Sequence, residues 1–222
     1  MDLLKILRSF EEFLFEVVTW LYFYPLTLVQ IVWRPASMMA YAASEQLEPE
    51  ETRFDESLSP PMLLLVTLLV ANAVGWAAHV PRPPEASQLS HAIFGSQQNL
   101  LLFRCLIFSL IPLVAALTLL RKQGVPIARA SLRQPFYSQC YLAAPFALAA
   151  SLGAIGMQRG GWYGEAGLAV LVACTAWLLA VQARWFQRHL GIDLLAALGT
   201  ATWAFFRAII YLLLIVVPVA LI

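Results

Sequence analysis

Two arginines, Arg104 and Arg207, stand inside long apolar stretches of this chain. A charge at membrane depth is costly, so each is a functional candidate whose partner has to be named. Arg104 shares its depth with Glu165, the one acid near that level. Arg104 and Glu165 are therefore read as a candidate polar pair between two membrane helices. The competing reading lets Arg104 snorkel, with its stem in apolar surroundings and its guanidinium among headgroups. Arg207 lies on the side of Asp55, Glu56 and Asp193, and snorkelling is the preferred reading there. Asn72, Gln139 and Gln182 can bond between helices. Such bonds average about 0.6 kcal/mol in membranes, which makes them structural glue before a site.

Other chemistry is hard to assemble. No HExxH, GxSxG, Walker loop or DxxD-type acid pair falls in or near an apolar stretch. His79 and His91 lie in or beside one loop and His189 in another, no two at metal-ligand spacing on one helix, and Cys105, Cys140 and Cys174 form neither a CxxC pair nor a Cys/His cluster. Catalysis inside a membrane needs a nucleophile and base, or a metal, held together. The expectation is no enzyme, no metal and no cofactor.

The elements that position these residues are five apolar stretches, at 61–80, 98–120, 135–157, 163–181 and 198–222. About 20 apolar residues at about 1.5 Å each cross a hydrocarbon core of about 30 Å. Backbone polar groups there must pair within the segment, so each stretch is a helix. Only 12% of residues are charged, which leaves no room for a large water-soluble domain. The fold class expected is all-α: a polytopic membrane helix bundle of five transmembrane helices (61–222) behind a head of residues 1–60.

Charge is unevenly placed. The head holds ten acids and four bases, and the remainder three acids and ten bases. That is no nucleic-acid reader, which needs a basic face. Lys and Arg in short loops mark the cytoplasmic side. Arg121, Lys122, Arg129 and Arg133 lie in one loop and Arg184 and Arg188 in another, whereas the two opposite loops hold only Arg82 and Arg159. The head is expected in the cytoplasm and Ile222 at the far face.

Within the head, Leu3, Ile6, Leu7, Phe10, Phe13, Leu14, Val17, Val18 and Leu21 follow a helical apolar stripe, with Lys5, Arg8, Glu11, Glu12 and Glu16 opposite. This predicts an amphipathic helix lying in the interface, anchored by Trp20, Tyr22, Phe23 and Tyr24. Pro25 should break or kink it, giving a second apolar piece up to Trp33. The alternative is a sixth span at 13–33, which would place Glu16 near a membrane core. Residues 45–56 read as an acidic solvated linker; docking on the basic loops is the sharper alternative.

The third span is rich in small residues. Ala143, Ala147 and Ser151 lie four apart, a spacing that lets backbones approach closely and suits a central helix. Pro112 and Pro145 should kink spans two and three. Gly160, Gly161 and Gly164 read as a tight turn.

Two local patterns carry a resemblance. Asp55-Glu56 runs through Ser59-Pro60-Pro61 into the first span, and Phe136-Tyr137-Ser138-Gln139-Cys140-Tyr141 opens the third span before Pro145. With the head and five crowded spans, this layout resembles the Yip-type family of small five-span membrane proteins. Glycine or an aromatic usually precedes that family's proline near span one, where Ser59 and Pro60 stand here, and its glycine-tyrosine pair in span three is absent. The resemblance implies that Tyr137, Tyr141 and Pro145 matter for packing or kinking span three. It also implies a bacterial inner-membrane setting, since bacterial relatives are often labelled permease-like. The resulting expectation is a non-enzymatic scaffold or subunit of a membrane assembly. Its partners would be the lipid bilayer and either further copies of itself or other membrane proteins. A small-solute permease is the alternative, with spans two and three lining the path.

Overall fold

The computed structural model describes residues 3–49, 53–54, 57–79 and 96–221. Among them the regular elements are all helices, without a strand: α1 (Leu3–Trp33), α2 (Pro35–Glu45), α3 (Pro60–Ala77), α4 (Gln97–Gln123), α5 (Arg129–Arg159), α6 (Gly161–Leu190) and α7 (Leu194–Leu221). Five of these, α3 to α7, are long and apolar enough to cross a bilayer. The chain is an all-α membrane bundle of five candidate spans with a helical head.

The helices outrun the apolar stretches at the end that carries the basic loops. Arg121, Lys122, Arg129, Arg133, Arg184 and Arg188 all lie on helices. A charged side chain ends an apolar run but not a helix, since Lys and Arg are good helix formers. At the other end α5 and α6 form a hairpin with only Gly160 between them. Gly160 and Gly161 both have positive φ, 68° and 56°, a conformation that glycine adopts freely.

Helix α5 is the hub, packing against α3, α4, α6 and the head helix α2. Tyr141, Leu142, Ala143, Ala144 and Ala147 are fully buried along it. Near the hairpin, α5 and α6 meet backbone to backbone. A Cβ on Gly153 would stand 2.8 Å from the Gly167 carbonyl oxygen, and one on Gly156 would stand 2.7 Å from that of Tyr163. Pro145 lies inside an uninterrupted α5, and Pro112 inside α4.

The head differs from expectation. Residues 3–33 form one helix, about 45 Å long by its rise per residue, and Pro25 lies inside it. Proline removes the N–H that would bond the Leu21 carbonyl. Leu21 and Pro25 are both exposed, so that carbonyl is not trapped in the core. The break falls instead at Arg34, before Pro35, where φ −133° and ψ 57° leave the helical region, as the residue ahead of a proline tends to do. The apolar part of α1, Val17–Trp33, falls short of the five spans in length, so α1 is not a sixth one by that measure. Its second half packs on the bundle through Trp20, Phe23, Tyr24 and buried Thr27 and Ile31. The first half leaves Phe10, Leu14, Phe15 and Val18 exposed.

Part of the acidic linker (residues 50–52, 55 and 56) lies outside the described residues, as do Arg82 and His91. The described part of the linker folds back on the head and α5. Phe54 N donates to Glu45 Oε2 (2.6 Å), and the Phe54 ring packs on Tyr41 and Tyr137.

Candidate functional site

The structure gives Arg104 a different partner from the one expected. Its guanidinium donates to Asn72 Oδ1 on α3, at 3.0 Å. Glu165 is exposed and makes no ion pair with Arg104. The two residues do not face each other. Gly167 faces α5 at the close contact, and two residues back along a helix is about 200° around it, so Glu165 points away from the bundle.

Arg207 does not simply snorkel either. It reaches across to α4 and donates to Thr118 Oγ1, while that hydroxyl donates to the Val114 carbonyl. Arg207 Nε is buried without a hydrogen-bond partner. Side chains on a helix lean toward its N-terminus, which on α7 is the basic end.

Gln139 and Gln182 meet between α5 and α6, Nε2 of Gln182 donating to Oε1 of Gln139 at 2.9 Å. Both are about 1% exposed. Their other amide atoms, Gln139 Nε2 and Gln182 Oε1, have no partner.

The residues of span three singled out by the resemblance sit where the head meets the bundle. Tyr141 is wholly buried, and its hydroxyl donates to the Leu58 carbonyl at 2.8 Å. The Ser57 hydroxyl lies 3.0 Å from the same oxygen, so Ser57 donates to it. One turn earlier Ser138 Oγ donates to the Met39 carbonyl of α2 at 3.0 Å. Tyr137 stacks on Phe54 and lies under the Arg133 guanidinium. Pro145 is buried in α5; its missing N–H leaves the Tyr141 carbonyl without its usual helical donor.

Next to this junction is a cavity of about 810 Å³, the main feature that sequence reasoning missed. It lies between α2 and the basic ends of α4, α5 and α6. Buried Met39, Leu119, Leu120, Val181 and Trp185 make its apolar walls, with Ser138 and Gln134 as polar lining. Arg34, Arg184, Arg188 and His189 also line it, and all four are exposed. Its described lining contains no carboxylate. Gln123 Nε2 donates to the His189 carbonyl at 3.2 Å, holding the end of α4 to that of α6. His189 also lies against Trp185, with ring centroids 4.7 Å apart. Arg184 and Arg188 were legible in the sequence as a topology signal and as a basic loop on which the acidic linker could dock, but not as the lining of a cavity.

Among the described residues no group of three or more His, Cys, Asp or Glu could hold a metal ion, and Cys105, Cys140 and Cys174 are free thiols. The fold and the packing of its helices define the class: an α-helical integral membrane bundle with a head docked on one end. No protein-family model, curated protein or solved structure matches the chain.

Proposed function

We propose that this is a non-enzymatic integral membrane protein, a scaffold or a subunit of a larger membrane assembly. In this reading the membrane is a bacterial inner membrane, with the head in the cytoplasm and the C-terminus on the opposite face. The observation that carries it is the two-part character of α1. The second half is packed onto the bundle, while Phe10, Leu14, Phe15 and Val18 of the first half are exposed. An amphipathic half-helix of this kind lies on a bilayer surface or meets a partner there. The layout shared with the Yip-type family supports the same reading. A photo-crosslinking residue at Phe15, in native membranes, should give discrete protein adducts that the same residue at lipid-facing Val172 does not. Lipid adducts alone at Phe15 would contradict the scaffold reading.

One observation favours a small-solute permease instead: the buried, half-satisfied amides of Gln139 and Gln182. Unpaired polar groups at membrane depth are the kind that line solute paths. Proteoliposomes should then swell with small polar solutes, and Gln139→Leu with Gln182→Leu should abolish it. Equal swelling with and without protein would dismiss the permease.

A further inference from the structure

We infer that the cavity at the basic end is a binding site for an anionic phospholipid, drawn from the leaflet on that side. This goes beyond the scaffold reading and does not depend on it. The cavity has two chemically distinct parts. Met39, Leu119 and Trp185 offer apolar wall, and Arg34, Arg184 and Arg188 supply three guanidiniums. Guanidinium suits phosphate, since its planar fork bonds two oxygens at once. No ion pair or hydrogen bond joins the side chain of any of these three arginines to a described residue. No described carboxylate lines the cavity to compete.

Shape and place narrow the ligand. About 810 Å³ lies within the range of roughly 300–1,000 Å³ typical of ligand pockets. It holds a headgroup and the first part of its chains, with the remainder left in the bilayer. Exposed Trp33 lines the same cavity, and tryptophan settles at headgroup level. A small hydrophilic anion would use the arginines and leave the apolar wall unused. A neutral lipid would use the wall and leave three cations unpaired. An anionic phospholipid uses both, and basic pockets between membrane helices are known to hold such headgroups.

The test uses the full chain in mild detergent, with phosphatidylglycerol, phosphatidylcholine and inorganic phosphate as probes. Native mass spectrometry and thermal unfolding are the readouts. One phosphatidylglycerol should be retained per chain and should raise the unfolding temperature, while phosphatidylcholine should do neither. Arg184→Gln with Arg188→Gln should weaken retention about thirtyfold, as loss of two basic residues near a headgroup implies. Both side chains are exposed, so the variant should keep its helical circular dichroism. Arg121→Gln with Lys122→Gln, basic but outside the cavity, should retain lipid like the wild type. Ala40→Trp puts an indole into the cavity and keeps every charge; it should weaken retention of the lipid. Equal retention of the two lipids would overturn the proposal. So would equal effects of the two glutamine pairs, which would mean diffuse surface charge. Displacement of the lipid by inorganic phosphate would assign the arginines to a free anion and overturn it as well.

Discussion

Replacing Tyr141 with Phe isolates the interaction that fastens the head to the bundle. The ring is wholly buried and stays in place in the variant. Only the hydroxyl goes, and with it the donor to the Leu58 carbonyl (2.8 Å) and the acceptor for Ser57 (3.0 Å). Stranding a buried polar group costs about 1–3 kcal/mol in soluble proteins. Bonds between membrane helices run lower, about 0.6 kcal/mol on average and about 1.7 at most. Removing both hydrogen bonds at the edge of a span should therefore cost about 1–2 kcal/mol. Tyr141→Ala also opens a cavity, and should cost about 3–5 kcal/mol. The Ser57 bond is shared, so a cycle of Tyr141→Phe with Ser57→Ala should show coupling of at least about 0.5 kcal/mol. Reversible unfolding in mixed SDS micelles, followed by helical circular dichroism, measures each value. A change below about 0.5 kcal/mol for Tyr141→Phe, or plain additivity in the cycle, would refute the latch.

Arg104→Leu and Asn72→Leu should be coupled in the same assay, whereas Glu165→Leu should be near neutral and additive with Arg104→Leu; strong coupling of Arg104 to Glu165 would reverse the assignment made from the 3.0 Å contact. Gly167→Val should destabilise by at least about 2 kcal/mol, because its side chain meets the backbone of α5 at Gly153 and Met157; a variant as stable as the wild type would show that α5 and α6 are not in close contact. Gln139→Leu alone should cost about 1 kcal/mol by stranding Gln182, and Gln139→Leu with Gln182→Leu together should be neutral or stabilising. A double variant less stable than either single one would mean that the amides hold something else.

The spans were legible because their cause is local. A run of apolar residues long enough to cross a bilayer is visible without knowing its neighbours, and α3 to α7 fall on the five runs. The turn at Gly160 and Gly161 was readable for the same reason, although Gly164, read as part of it, lies inside α6. Packing between helices was readable only in part. Arg104 and Glu165 share a depth, which sequence position gives. Which way Glu165 points depends on the face α6 turns to α5, which Gly153, Gly156 and Gly167 decide together. Ser57 and Tyr141 are 84 residues apart, and no periodicity links them. The cavity exists because Arg34 turns the chain and α2 packs on α5 and reaches α6. No single segment encodes it. Pro25 does not end α1, just as buried Pro145 does not end α5: packing of the second half of α1 on the bundle holds the helix together through the lost hydrogen bond.

The central claim is a head on one face, held against five spans, with an odd number of crossings between the head and the C-terminus. Single-cysteine variants at residues 2, 47 and 222, made with Cys105, Cys140 and Cys174 replaced by Ala, test it in sealed membrane vesicles with an impermeant maleimide. Residues 2 and 47 should label from the same side and residue 222 from the other. Labelling of residues 2 and 47 from opposite sides would make α1 a sixth span and contradict the account.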